Sequence, residues 1–140
     1  MADGDRTDHL KFSGAVTTDD NTTPVVMFSV TPAMLPENQR AKVTVEVLST
    51  KDADGVGTSV SSEWIFSLDN DGGTTVTCPE ESTGLTAVYS EAGVGPASVT
   101  PTQNGNNIDL AVVGASADDF SHAFWVDIKI AELTEVSTPP

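Results

Sequence analysis

The chain has 140 residues, of which 21 are acidic and six are lysine or arginine, and its formal net charge is −15. This length supports one domain with one hydrophobic core. The single cysteine, Cys78, excludes an intrachain disulfide scaffold. Because the basic residues are scattered along the sequence, we expect no phosphate-tracking groove and no nucleic-acid partner. These six are Arg6, Lys11, Arg40, Lys42, Lys51 and Lys129.

No segment has the pattern of a targeting or membrane-spanning signal. The first nine residues are acidic and polar, and they lack the basic start and apolar stretch of a secretory signal. No apolar run approaches the roughly 18 residues that are needed to span a membrane. We therefore expect a protein that is made in a cytoplasm and has no membrane partner.

Apolar residues recur at every second position along most of the chain, which is typical of half-buried β-strands. In chain order, the predicted strands cover 10–17, 25–30, 42–50, 60–68, 74–78, 85–90, 97–102, 108–112 and 124–130. Segments rich in Asp, Asn and Gly separate them and are typical of tight turns. The only helical candidates are short, at 33–40 and 117–120. About eight to nine strands predict an all-β antiparallel sandwich or jelly roll.

The two ends differ in composition from the middle of the chain. Residues 1–9 form an acidic N-terminal arm without an apolar anchor, and residues 134–140 form a polar tail that ends in two prolines. Residues 10–133 carry the strand pattern and are predicted to form a single β-sandwich domain. We expect either end to become ordered only when it contacts a neighbouring molecule.

One acidic segment invites comparison with a calcium loop. Asp69 begins the run DNDGG, and Glu80 stands at the twelfth position counted from it. An EF-hand loop needs an oxygen ligand at position 5 and glycine at position 6, but these positions hold Gly73 and Thr74. A hairpin turn is the better interpretation, and we expect neither a metal nor another cofactor.

Nucleophilic catalysis requires a nucleophile, a base and an orienting group. Ser121 and His122 are sequence neighbours before a predicted strand, so their side chains should diverge. Cys78 is followed by Pro79 and two glutamates, which do not favour a thiolate. These residues predict no catalytic centre.

Glycoside hydrolysis requires two carboxylates that face each other across a cleft. The acidic pairs Glu80/Glu81 and Asp118/Asp119 are adjacent in turn-rich segments and are better interpreted as solvated surface. We therefore expect the protein not to be an enzyme.

The two tryptophans have different phases within their strands. Trp64 is in phase with Val60, Phe66 and Leu68, which predicts a core position. Trp125 is out of phase with its apolar neighbours and faces the second side of its strand. If that side meets solvent, Trp125 is a contact residue, for a neighbouring protein in preference to a sugar. If the strand is central, the ring packs on the second face.

Several segments together resemble small all-β structural proteins of tailed bacteriophages. These often open with a G-x-V-x-T-T-D-x-T-P segment, and here FSGAVTTDDNTTP covers 12–24. They close with a V-x-G strand, a loop and a W-x-V strand, which correspond to 108–115 and 124–132. The segment SSEW at 61–64 and the hairpin DGGT at 71–74 fit the same scheme. The loop at 116–122 is longer than the corresponding loop expected in such phage proteins, and the acidic arm at 1–9 is a segment that they lack.

The resemblance implies a virion component without catalytic activity. Since a strongly acidic protein is unfavourable beside packaged DNA, the first hypothesis is a capsid decoration (cement) protein on the outer surface of the head. Its partners would be the major capsid protein and copies of itself in a trimer. The alternative is a tail fibre or baseplate adhesin domain that binds a host surface glycan, and a sugar hydrolase on a jelly roll is a third hypothesis. Candidate interface residues are Trp125 and, in or beside the arm, Asp3, Asp5, Asp8 and His9.

Overall fold

The computed structural model describes residues 8–51, 58–70, 72, 74–78, 84–90, 97–114 and 119–132, with the backbone alone for residues 8, 58, 84–90 and 132. These residues form eight β-strands and no helix. The strands are β1 (Asp8–Thr18), β2 (Val25–Val30), β3 (Gln39–Lys51), β4 (Thr58–Asn70), β5 (Gly84–Ser90), β6 (Ser98–Asn104), β7 (Asn107–Val113) and β8 (Phe120–Glu132).

The strands form two antiparallel sheets. One has five strands in the order β1-β8-β3-β4-β5, and the other has three in the order β2-β7-β6. The prediction of an all-β antiparallel fold with about eight to nine strands is thereby confirmed. Strands β3 and β8 are both central in the larger sheet, so their pairing decides which side chains meet on its two faces.

Three segments differ from the expected elements. The segment 74–78, predicted as a strand, makes only an isolated bridge in which Asp69 and Thr77 exchange backbone hydrogen bonds of 2.9 and 2.8 Å. The helical candidate at 33–40 is a turn that leads into β3, and Phe120, expected to end a second short helix, begins β8. The helix prediction is therefore wrong at 33–40, because that segment is too short for a stable helix in isolation. Residues 117 and 118 of the second candidate lie outside the described residues.

The core lies between the two sheets and is built from alternate residues of each strand. Val43, Val45 and Val47 of β3 are at most 1% exposed, as their common phase predicts. Trp64 is half-buried and packs against this core, in phase with the buried Phe66. The facing sheet contributes Val30, Val99, Ile108, Leu110 and Val112 to the same core.

The first strand begins within the expected arm. Asp8 pairs with Ile130 and His9 with Lys129, so β8 holds the backbone of both residues. The described part of the sandwich therefore begins at Asp8, and the predicted domain boundaries stay a prediction. The rest of the arm and the C-terminal tail at 134–140 lie outside the described residues.

Candidate functional site

The candidate site is the face of the five-stranded sheet that is turned away from the three-stranded sheet, which we call the outer face. It consists of alternate residues of four adjacent strands, because successive side chains of a strand point to opposite sides. The core takes the even-numbered residues of β8, so the odd-numbered residues form the outer face. Its central members are Lys11 and Ser13 of β1, Trp125, Asp127 and Lys129 of β8, Lys42, Glu46 and Leu48 of β3, and Glu63 and Ile65 of β4.

Trp125 lies near the centre of the outer face. Its strand is central in the sheet, yet Trp125 is 47% exposed. The ring therefore does not pack beneath another layer of the described chain. Its cross-strand neighbours are Ser13 on β1 and Glu46 on β3. The prediction that Trp125 faces the side opposite the core is confirmed, and its role as a contact residue stays a prediction.

A shallow depression of about 230 Å³ surrounds one side of this ring. It brings together an aromatic face, carboxylates that accept hydrogen bonds and an ammonium group that donates them. The depression therefore places an apolar platform beside convergent polar groups. The lining residues are Lys11, Phe12, Glu46, Trp125, Val126 and Asp127.

Basic residues are concentrated on the outer face. Of the five lysines and arginines among the described residues, only Lys51 lies elsewhere. Lys42 of β3 is directly opposite Lys129 of β8, and Lys129 is directly opposite His9 of β1. Antiparallel pairing thus places basic residues that are scattered along the sequence side by side. We call Lys42, Lys129 and His9 the basic row.

Of the four candidate interface residues in or beside the N-terminal arm, the structure describes two, and both belong to β1. His9 is an exposed strand residue whose Nε2 contacts Oδ1 of Asp127. Asp8 is the first residue of β1, and its side chain is not described. Asp3 and Asp5 lie outside the described residues. The structure thus brings His9 and Trp125 to one face of the sheet.

The second histidine has a structural position. His122 is fully buried; its Nε2 lies 2.8 Å from the Thr18 hydroxyl and its Nδ1 lies 2.7 Å from the Ser49 hydroxyl. Its ring also stacks on Phe120, with centroids 5.9 Å apart. Ser121 points to the other side of the strand, as predicted. The Ser49–His122 pair is enclosed in the core, since Ser49 is only 1% exposed.

The segment that was compared with a calcium loop is described only in part. Asp71, Gly73 and Glu80 lie outside the described residues. Asp69 accepts hydrogen bonds of 2.8 Å from Nε and 3.4 Å from a terminal guanidinium nitrogen of Arg40. The described residues hold no group of three His, Cys, Asp or Glu side chains that could bind a metal ion.

The turn after β1 is organised by one carboxylate. Asp20 accepts hydrogen bonds from the backbone N–H groups of Thr22 and Thr23, at 3.0 and 2.7 Å, and from the Thr23 hydroxyl at 2.9 Å. These bonds favour the charged carboxylate, so they hold the pKa of Asp20 below its ordinary value of 3.8. This turn belongs to the opening segment that resembles phage structural proteins.

Comparisons with known proteins give a structural match alone. No protein-family model matches the chain, and no curated protein sequence matches it. The tailspike protein of Acinetobacter baumannii phage AM24 shares the fold, with a TM-score of 0.58 and 11% identity over 99% of this chain. This chain spans only 28% of that tailspike's length. No helix in the described part of the chain is long and apolar enough to cross a membrane.

Two further tailspike proteins align less well. That of Acinetobacter phage vB_ApiP_P1 gives a TM-score of 0.39 and 14% identity, with 86% of this chain and 22% of that chain covered. The tailspike protein gp49 of A. baumannii bacteriophage Fri1, a capsular polysaccharide depolymerase, gives a TM-score of 0.37 and 16% identity. The alignment covers 87% of this chain and 18% of that chain. The fold is thus an antiparallel β-sandwich that also occurs as one part of a phage tailspike chain.

Proposed function

We propose that this chain is a binding module of a bacteriophage tail fibre or tailspike, and that its outer face binds a glycan on the host surface. The observation that carries the proposal is Trp125, an exposed aromatic ring on a central strand, next to a depression lined by carboxylates and an ammonium group. The fold shared with part of a tailspike supports a location in the tail over decoration of the head.

The chemistry of the outer face suits a saccharide. The C–H groups of a pyranose ring form an apolar patch that can pack on the indole of Trp125, which is 47% exposed. Glu46 and Asp127 can accept hydrogen bonds from sugar hydroxyls, and Lys11 can donate to them. An open sheet face admits an internal stretch of a long polymer, whereas a closed pocket admits only its end.

The proposed role is binding without a catalytic step. Among the described residues, the serine–histidine pair that resembles a nucleophile with its base is enclosed in the core. In the assembled virion, the module's partners would be the rest of the tail protein and copies of itself in a trimer, which is one of the closed symmetries of homo-oligomers.

A bacterial glycan array tests the proposal directly. The labelled chain should bind a subset of surface polysaccharides, and Trp125→Ala should weaken that binding by about thirty-fold or more, the loss typical of a central aromatic contact. Val26→Ala is the matched control, because Val26 is 48% exposed but lies on the other sheet. Absence of binding to every glycan, or equal losses in the two variants, would contradict the proposal.

A further inference from the structure

We infer that the glycan bound by the outer face is acidic, and that the basic row receives its carboxylate groups. This inference rests on the proposed function and adds the class of the ligand. It is carried by two adjacent ammonium groups, those of Lys42 and Lys129, on a molecule whose formal net charge is −15. On such a protein, two adjacent ammonium groups without a carboxylate partner among the described residues require a physical reason.

The basic row is unfavourable for folding by itself. Lys42 and Lys129 are directly opposite on adjacent strands, an arrangement that destabilises a sheet through like-charge repulsion. In the described part of the chain, neither lysine has an ion pair or side-chain hydrogen bond. The nearest outward carboxylate on β8, that of Asp127, contacts His9. The two ammonium groups are therefore free to receive an external anion.

The basic row and Trp125 lie along one line of the sheet. Trp125, Asp127 and Lys129 are alternate residues on the same side of β8, so Trp125 and Lys129 are about 13 Å apart along the strand. An oligosaccharide that follows β8 can stack one ring on Trp125 and bring an acidic substituent to Lys129 and Lys42. The stacking surface and the anion site are thus two parts of one extended site.

The composition of the outer face favours an acidic polysaccharide over a nucleic acid. Glu46 and Asp127 line the depression beside Trp125, and Glu63 is directly opposite Glu46. These carboxylates would repel a phosphate at every nucleotide step, whereas a polysaccharide can place its charges only where the basic row lies. A second copy of the chain fits less well, because Leu48 and Trp125 are the only large exposed apolar side chains of this face among the described residues. A stable interface between copies has a more apolar centre.

The test uses a polysaccharide retained on the array and the same polysaccharide after its carboxyl groups have been reduced to alcohols. Intact chain should bind the native polymer and lose most of that affinity for the reduced polymer. Lys42→Gln and Lys129→Gln should each weaken binding to the native polymer by about five-fold, and added salt should reduce the difference. Lys51→Gln, which removes the same charge at the end of β3, is the matched control.

The outcomes separate this inference from the proposed function. If every retained polysaccharide is neutral, and if binding depends on Trp125 but is unchanged in the lysine variants, the inference of an acidic ligand is overturned. The proposed function is then unaffected. No binding to any polysaccharide would overturn both. A change in sedimentation of the Lys42→Gln/Lys129→Gln double variant would assign the basic row to contacts between copies. Tighter binding to single-stranded DNA than to any polysaccharide would assign it to nucleic acid, and either result would overturn the inference.

Discussion

Ser49 and His122 are directly opposite each other on β3 and β8, and the Ser49 hydroxyl lies 2.7 Å from Nδ1 of the imidazole. On the other side of the ring, Thr18 of β1 lies 2.8 Å from Nε2. One buried side chain therefore connects three neighbouring strands of the larger sheet. Inside a core, such bonds matter because a buried polar group without its partner is costly.

Ser49→Ala is expected to lower the free energy of unfolding by about 1–2 kcal/mol, since it removes the hydroxyl partner of a fully buried imidazole. The measurement is urea denaturation at equilibrium. Ser61→Ala on β4 is the matched control, because Ser61 is exposed, and it should change stability by less than about 0.5 kcal/mol. Equal effects in the two variants would show that the histidine bridge does not stabilise the sheet.

Gly14 and Phe124 are also cross-strand partners, and the phenyl ring lies over the glycine. A Cβ at Gly14 would stand 2.7 Å from Cζ of Phe124. Gly14→Ala is therefore expected to cost about 1–3 kcal/mol through displacement of the ring. At Gly72 an added Cβ would meet nothing within 4 Å, so Gly72→Ala should be nearly neutral in the same denaturation experiment. A stabilised Gly14→Ala variant would contradict the packing described for this strand pair.

Asp20 gives the turn after β1 a dependence on pH. Because its folded-state pKa is lowered by bonds from Thr22 and Thr23, its contribution to stability is fully present above the ordinary value of 3.8. That contribution is lost as the pH falls through the lowered pKa. Asp20→Asn should therefore reduce the melting temperature near neutral pH, and the difference from the parent chain should vanish in strongly acid solution. Asp19→Asn, which removes the same charge at an exposed neighbour, should show no such pattern.

The repulsion between Lys42 and Lys129 is measurable by a double-mutant cycle. Each single Lys→Gln change removes the whole cross-strand repulsion. The second change should therefore bring no further gain in the free energy of unfolding. The expected coupling is about 0.2–1 kcal/mol at low salt, with the two lysines destabilising each other. It should shrink as salt screens the pair. A coupling of zero at low salt would mean that the two ammonium groups point away from each other.

The sequence predicts the strands well because alternation is a local property. The common phase of Val43 and Val45 and the opposite phase of Trp125 depend only on neighbours along the chain, and the structure bears them out. The buried Asp109 is different, because it accepts hydrogen bonds from Ser29 at 2.6 Å and from Asn104 at 2.8 Å. Its burial therefore depends on the flanking strands, and alternation along β7 does not reveal it.

The candidate site was predicted only in part for the same reason. The sequence indicates that Trp125 faces away from the core, but it does not indicate that β8 pairs with both β1 and β3. Only that pairing places Lys42 beside Lys129 and His9 beyond it. A basic row that is built from three strands is invisible in a sequence where its members are far apart.

Binding of a glycan to the outer face of the five-stranded sheet can be observed residue by residue in solution. The most direct test is amide chemical-shift mapping of the isotope-labelled chain during titration with the polysaccharide that the array retains. Shifts are expected at the Trp125 indole N–H and along β8, β3 and β1, with the three-stranded sheet around Val26 unchanged. Shifts confined to the three-stranded sheet, or none at saturating polysaccharide, would contradict binding at the outer face.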